Sequence, residues 1–415
     1  MTEFIRLPDS NSKLTRLELR VSVILACVIG LRMFGLFLLL PVLSIYATEL
    51  DGASATNLGL TVGIYGLTQA IFQIPFGMTS DRIGRKPVIF FGLIVFVVGC
   101  AVATYGDHIY AVLTGRALQG AGAISAATIA LASDLSRPAQ RAKVMGIIGS
   151  SIGLFFCISI VVAPLAAASV GLDGLFWLAA ALAIIAMLVM LVMVPEPTVS
   201  SNRSIASRPC NLAVLLKMPE LLQLNFGIFV LHAILAAIFV CIPQVLVGGI
   251  LSADMHWVLY LPAMMVAIIG MVLVLKRSHR LENTRGTMCM AVFVLTVAMC
   301  VALVVVSETI GVWYIGAYSQ MLIVMAIFFF GFIVLEATLP AEVTRAAPEE
   351  QRGGAVGIYN TCQFFGVFVG GAASGWMYGG LGAASVFIAC IALLCMWLLM
   401  LLPKKLIRFS DKLPH

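Results

Sequence analysis

Four residues able to carry ion or proton chemistry stand inside long apolar runs of this sequence. A charge there is costly unless water or a partner meets it. Arg32 lies about 13 residues into the first run, near the bilayer midplane at about 1.5 Å per residue. It reads as a cavity-lining cation facing an anionic substrate group or a proton-site carboxylate, or else as a structural pair between two helices. Arg116 is shallower, about 10 Å from the outer face on the same rise, and a long side chain at that depth can snorkel. Glu336 is the only carboxylate well inside an apolar run, Phe328 to Leu339. A carboxyl balanced between burial and a neighbouring cation can load and release a proton; pairing with a basic loop residue is the alternative. His232 is the only histidine within a span, since His108, His256, His279 and His415 fall in loops, at helix ends or in the tail. It reads as a proton relay or as a satisfied hydrogen-bonder.

Amides and phenols supply the second group. Tyr65, Gln69 and Gln73 recur every four residues and share one helix face, as do Tyr359 and Gln363. With Gln119 and Asn225 they are candidates for lining a cavity. Met33, Phe34, Phe37, Phe229 and Met264 can supply its apolar walls, or can simply pack or face lipid. Such a cavity suits an amphipathic or aromatic small molecule.

The elements that position these residues follow from composition. Of 415 residues 61% are hydrophobic and 11% charged, with a mean hydropathy of +1.08. A soluble domain is about a quarter charged, so lipid must be the solvent for most of this chain. Runs of spanning length fall near 19–46, 57–79, 87–105, 109–133, 143–169, 174–194, 222–248, 255–275, 287–306, 311–340, 354–377 and 383–402. They predict an all-α membrane protein with twelve spanning helices. Of the 25 Lys and Arg residues, all but Arg32 and Arg116 fall in alternate loops or the termini on one side. That bias places both termini in the cytoplasm and requires an even number of crossings. It also gives the net charge of +6 a membrane role in place of a nucleic-acid one.

An internal repeat divides the chain. Asp134-Leu-Ser-Arg137 matches Glu342-Val-Thr-Arg345, and Gln140-Arg141 with Gly146-Ile147 matches Gln351-Arg352 with Gly357-Ile358. Six helices separate the copies, as for halves related by an axis along the membrane normal. The expected organisation is a six-helix half over 1–194, a linker over 195–221 rich in Ser, Asn, Arg and Pro, a second half over 222–403, and a basic tail over 404–415. The ten cysteines sit mostly in apolar runs without a CxxC pair and read as small hydrophobes. The polar first eighteen residues lack a cleavage-type site, so no removable signal is expected.

The loop after the second run reads Gly77-Met-Thr-Ser-Asp81-Arg82-Ile-Gly84-Arg85-Lys86-Pro87. It resembles the G-x-L-x-D-R-x-G-R-R/K loop signature of major facilitator transporters, departing at Thr79. Arg116, Gln119, Gly120 and Gly122 resemble the fourth-helix R-x-x-Q-G-x-G signature, and Gly35 with Pro41 resembles the first helix of the twelve-helix drug:proton antiporter branch. Within that branch the chain is most similar to the YajR-type group, through Arg32-Met-Phe-Gly35, Gly63 to Gln69, Leu224-Asn-Phe-Gly227 and Tyr359 to Gly366. Two features depart from the pattern. That group carries a small soluble domain after the last helix, expected to be absent here, and the fifth-helix antiporter signature survives only as Ser159-Ile-Val-Val-Ala163-Pro164.

The resemblance implies two pseudo-symmetric six-helix bundles working by alternating access, with a proton as coupling ion and no cofactor or metal. It implies proton-coupled efflux of a drug-like compound by a functional monomer in an inner membrane. It also gives Arg116 a part in proton transfer. Asp81 would meet the start of helix eleven, at Gly353 and Gly354, when the cytoplasmic ends close, and Arg85 can pair with Asp134. A carrier for one metabolite, such as a siderophore, and a non-transporting sensor are the rivals. Enzymes and channels are disfavoured: no phosphate loop, nucleophile elbow or metal-ligand spacing occurs, nor does a filter repeat.

Overall fold

The structure, a computed structural model, describes residues 14–195, 212–281, 283–307, 316–348 and 351–401. Among these residues it holds thirteen α-helices and no β-strand. They are α1 (Arg16–Tyr46), α2 (Ala55–Ile83), α3 (Arg85–Ala103), α4 (Ile109–Ala121), α5 (Ser125–Asp134), α6 (Arg141–Met193) and α7 (Leu212–Leu215). Then follow α8 (Pro219–Val247), α9 (His256–Leu281), α10 (Thr284–Val306), α11 (Ala317–Ala346), α12 (Arg352–Leu381) and α13 (Ala383–Leu401). Every backbone polar group in lipid must be bonded within its own segment, which is why apolar runs of this length become helices.

The twelve crossings map onto these helices with one correction, the break of the fourth span at Gly122–Ile124 into α4 and α5. The fifth and sixth crossings lie within α6 on either side of Gly171, whose non-helical backbone at φ 68° separates them. The described part of the expected linker over 195–221 holds α7 and the start of α8. Its residues 196–211, the tail over 404–415 and the expected helix start at 311 lie outside the described residues. Eight described helices are long and apolar enough to cross a membrane, α6 with length for two crossings. The less apolar crossings are α2, α4–α5 and α12, which carry the glycines and polar groups that face other helices.

Helix pairing repeats between the halves. Within the first, α1 packs on α6, α2 and α3 on α4, and α3 on α6; within the second, α8 packs on α12, α9 and α10 on α11, and α10 on α13. In spanning order the first–fifth, second–fourth, third–fourth and third–sixth pairs recur six helices later. The two bundles meet through α2 on α12, α1 on α8 and α6 on α9, again related by the same exchange.

Candidate site at the interface of two helix bundles

Arg32 is buried on α1, where it points into its own bundle. Its Nη2 donates to Tyr65 Oη at 3.1 Å, Gln69 Oε1 at 3.0 Å and the Gly122 carbonyl at 3.0 Å. The α4–α5 break turns that carbonyl towards Arg32. Tyr65 donates to Gln69 Oε1 at 3.2 Å, and Gln69 Nε2 donates to Gln73 Oε1 at 3.0 Å. Arg116 lies with its guanidinium 4.8 Å from the centre of the Tyr65 ring and donates to Gln119 Oε1 at 2.8 Å. Gln119 in turn donates to Cys100 Sγ at 3.1 Å. Tyr65 therefore joins both arginines and three amides into one network.

Burial corrects part of the cavity expectation. Tyr65, Gln69, Gln73 and Gln119 are no more than 2% exposed, so in this conformation they line no open space. An amide in an apolar interior must find a partner, and these find one another across α1, α2 and α4.

The second bundle is built differently. His232 on α8 approaches the Ile228 carbonyl through Nδ1 at 3.3 Å, while Gln363 Nε2 on α12 lies 2.8 Å from His232 Nε2. With the amide nitrogen facing it, Nε2 serves as the acceptor and Nδ1 is left to donate to the Ile228 carbonyl. Glu336 on α11 places Oε2 3.9 Å from the same Nε2, and that oxygen has no hydrogen bond among the described residues. The Glu336 side chain as a whole is 34% exposed. Tyr359 is buried within electrostatic reach of Glu336. The Asn225 Oδ1 and Tyr359 Oη atoms are buried without hydrogen-bond partners among the described residues.

Residues that sequence spacing did not single out complete the site. Phe332 lies one turn before Glu336, with its ring 5.8 Å from His232 and 5.5 Å from Phe156 of the first bundle. Phe156 also meets Phe37 edge-on at 5.0 Å. The i,i+4 spacing of Phe332 and Glu336 was the available signal, hidden in a run where nearly every residue is apolar.

The two ends of the interface differ. Towards the acidic-loop end, Ser44 Oγ donates to the Phe239 carbonyl at 3.0 Å and Gln244 Nε2 to the Ser44 carbonyl at 3.3 Å. Here α2 and α12 touch backbone to backbone: a Cβ on Gly59 would penetrate the Gly371 carbonyl oxygen, and one on Gly63 would lie 2.7 Å from that of Phe368. Towards the basic-loop end, α5 packs on α1, α2, α3 and α6 of its own bundle, and a Cβ on Gly353 or Gly357 at the start of α12 would meet nothing within 4 Å. The interface is closed at the acidic-loop end and open at the basic-loop end.

The signature loop is seated on its own bundle. Gly84, at φ 108°, makes the turn between α2 and α3 that a side chain would strain. Arg85 pairs with Asp81, donates from Nε to Asp134 Oδ2 at 3.0 Å and from Nη1 to Ser80 Oγ at 2.8 Å. Lys86 donates to the Val194 carbonyl at 2.6 Å, the Gly77 carbonyl accepts from Ser80 at 2.7 Å, and Arg82 is exposed. Asp81 is exposed, and its ion pair is with Arg85; the α12 start at Gly353 faces open space. A further anchor is Glu18, which caps α1 through Thr15 and accepts from Arg137 Nε at 2.8 Å and Nη2 at 2.9 Å.

Two repeated bundles around a polar interface, closed at one end and open at the other, define a membrane transporter scaffold. The Major Facilitator Superfamily profile matches residues 25–371, and the chain belongs to that superfamily of transporters; it is not an enzyme. It is 39% identical over 394 residues to the inner membrane transport protein YajR of Escherichia coli (strain K12), covering 94% of this chain and 84% of that one. It is 29% identical over 208 residues to the quinolone resistance protein NorA of Staphylococcus aureus (strain MRSA252), covering 49% of this chain and 50% of that one. The D-xylose-proton symporter crystal structure shares the fold, with a TM-score of 0.73 at 12% identity over 92% of this chain and 96% of that one.

Proposed function

We propose that this transporter exports a small amphipathic compound in exchange for protons, by alternating access, as a monomer in the inner membrane. The observation that carries this reading is Glu336. Its carboxyl has one oxygen buried beside His232 on a side chain that is one-third exposed, one helical turn from Phe332, whose ring meets Phe156. A carboxyl in such a position can take a proton from one side and surrender it to the other as access alternates. The apolar rings beside it suit the hydrophobic part of an amphipathic molecule. The relatives support the same reading: one is named as an inner membrane transport protein and one as a quinolone resistance protein. The bias of Lys and Arg to one set of loops favours a cytoplasmic position for the open end, where a substrate for export is collected.

Proteoliposomes holding the purified protein, carrying a proton gradient and challenged with cationic, neutral and anionic amphiphiles, test the proposal. The expected result is proton release from the gradient on addition of several amphiphiles, with their movement against a concentration difference. Movement of one compound alone would make the protein a dedicated carrier. Substrate movement without proton flux would refute the coupling.

A further inference from the structure

Buried polar atoms without a hydrogen bond among the described residues occur in both bundles, among them Glu336 Oε2, Asn225 Oδ1, Tyr359 Oη and the His256 ring nitrogens in the second and Ser125 Oγ in the first. Around Arg32 and Arg116 four of them are N–H donors: Arg32 Nε and Nη1, Gln73 Nε2 and Arg116 Nε. The imbalance is greatest at Arg32. Its Nη2 carries two hydrogens and serves three acceptors, while the N–H groups of Nε and Nη1 reach none.

Charge is unbalanced in the same place. Arg32 and Arg116 are each 1% exposed. The acids of 14–194 are Glu18, Glu49, Asp51, Asp81, Asp107, Asp134 and Asp173, and all lie at helix ends, in turns or, for Asp173, beside the Gly171 kink of α6. Glu18, the nearest of them along α1 to Arg32, is about 20 Å away at the helical rise and is already held by Arg137. The Phe96 ring, 5.6 Å from the Arg32 guanidinium, is the remaining counterpart to its charge. Two buried cations joined through Tyr65, with no buried carboxylate and four unanswered donors, need a negative partner that the described protein groups do not supply.

We propose that the first bundle holds a compact anion, a halide or a carboxylate, against the Nε and Nη1 donors of Arg32 between α1, α2 and the α4–α5 break. The carboxyl of Glu336 belongs to the other bundle, so this site is separate from the proton site and stands whether or not that assignment holds. A guanidinium offers the fork of donors that a small anion accepts. The Gly122 carbonyl, Gln69 and Tyr65 fix the guanidinium from the Nη2 side and leave its other donors for the ion.

Thermal unfolding of the purified full chain in nanodiscs, at constant ionic strength, provides the test. Sodium chloride and sodium acetate are each compared with sodium gluconate, whose anion is too large for the site. A saturable rise in the unfolding midpoint with chloride alone marks a halide site, and a rise with acetate as well marks one open to carboxylates. Arg32→Gln should abolish the rise, Arg32→Lys should keep part of it, and Arg20→Gln, on an exposed arginine at the start of α1, should leave it intact. Equal midpoints in chloride, acetate and gluconate would mean that water answers these donors, and would overturn the proposal. Persistence of the rise in Arg32→Gln would overturn it too. Should Arg32→Gln fail to fold, bromide anomalous scattering from wild-type crystals decides: a peak beside Arg32 Nε or Nη1 supports the site, and peaks confined to the surface refute it.

Discussion

Glu336 Oε2 stands 3.9 Å from His232 Nε2, and the Gln363 amide already donates to that nitrogen at 2.8 Å. The histidine therefore cannot answer the carboxyl without giving up Gln363 or taking a second proton. Glu336→Gln keeps the size and polarity of the side chain and removes its titration. The expected outcome is loss of proton-driven substrate accumulation in proteoliposomes, with substrate counterflow retained. Accumulation at the wild-type rate in the variant would exclude Glu336 as the proton carrier.

Access divides the two sets of amides. Gln363 is half-buried beside His232, whereas Gln69 is fully enclosed by Arg32, Tyr65 and Gln73. In a cysteine-free background, Gln363→Cys should react with a small polar thiol reagent applied from the basic-loop side, and substrate should slow the reaction. Gln69→Cys should react at least tenfold more slowly. Equal labelling of the two positions would show that the first-bundle network opens to the cavity.

Much of this fold was legible because lipid forces a simple rule: a run of about 20 apolar residues must become a helix. Loop charge and the Asp134/Glu342 repeat then arranged the helices. The polar face of α2 was legible from the four-residue spacing of Tyr65, Gln69 and Gln73. Where that face pointed was not, because periodicity gives the side of a helix and not its neighbour. The break at Gly122 was hidden for a related reason, since an apolar run reads alike whether its helix is continuous or interrupted. Phe156 and Phe332 escaped because a phenylalanine at a site looks, in such a composition, like any phenylalanine in lipid. Glu18 escaped because its partner, Arg137, lies more than a hundred residues away in the chain.

The Glu18–Arg137 contact gives a stability prediction. Glu18 is 5% exposed at its side chain and accepts three Arg137 hydrogen bonds, one of them from the backbone N–H, besides completing the Thr15 capping box. Glu18→Gln preserves the box and loses the ionic part, for a cost of about 1 kcal/mol. Arg137→Ala leaves the Glu18 carboxylate without its cation and without the two guanidinium hydrogen bonds, so its cost should be larger. Thermal unfolding in detergent should therefore rank wild type above Glu18→Gln and Glu18→Gln above Arg137→Ala. The reverse order of the two variants would show that Arg137, half-exposed, contributes little beyond its surface charge.

The last prediction concerns the equilibrium between the two access states. In the present state the acidic-loop end is sealed by the glycine contacts of α2 and α12, and Asp81 is paired with Arg85 away from the α12 start. When the basic-loop ends meet, Asp81 can reach Gly353 and Gly354 at that start. A carboxylate at a helix N-terminus gains about 0.3–2 kcal/mol from the aligned N–H groups. That gain exists in one state alone, so it biases the equilibrium. At about 1 kcal/mol it alters the ratio of states about fivefold. Asp81→Asn should thus fold and insert normally, favour the state seen here, and slow transport. Gly59→Val acts in the opposite direction, because its side chain collides with the Gly371 carbonyl and opens the acidic-loop seal. Double electron–electron resonance between spin labels on the two basic-loop rims should show longer distances for Asp81→Asn and shorter ones for Gly59→Val than for wild type. An unchanged distribution in Asp81→Asn, together with wild-type transport, would remove Asp81 from the gate.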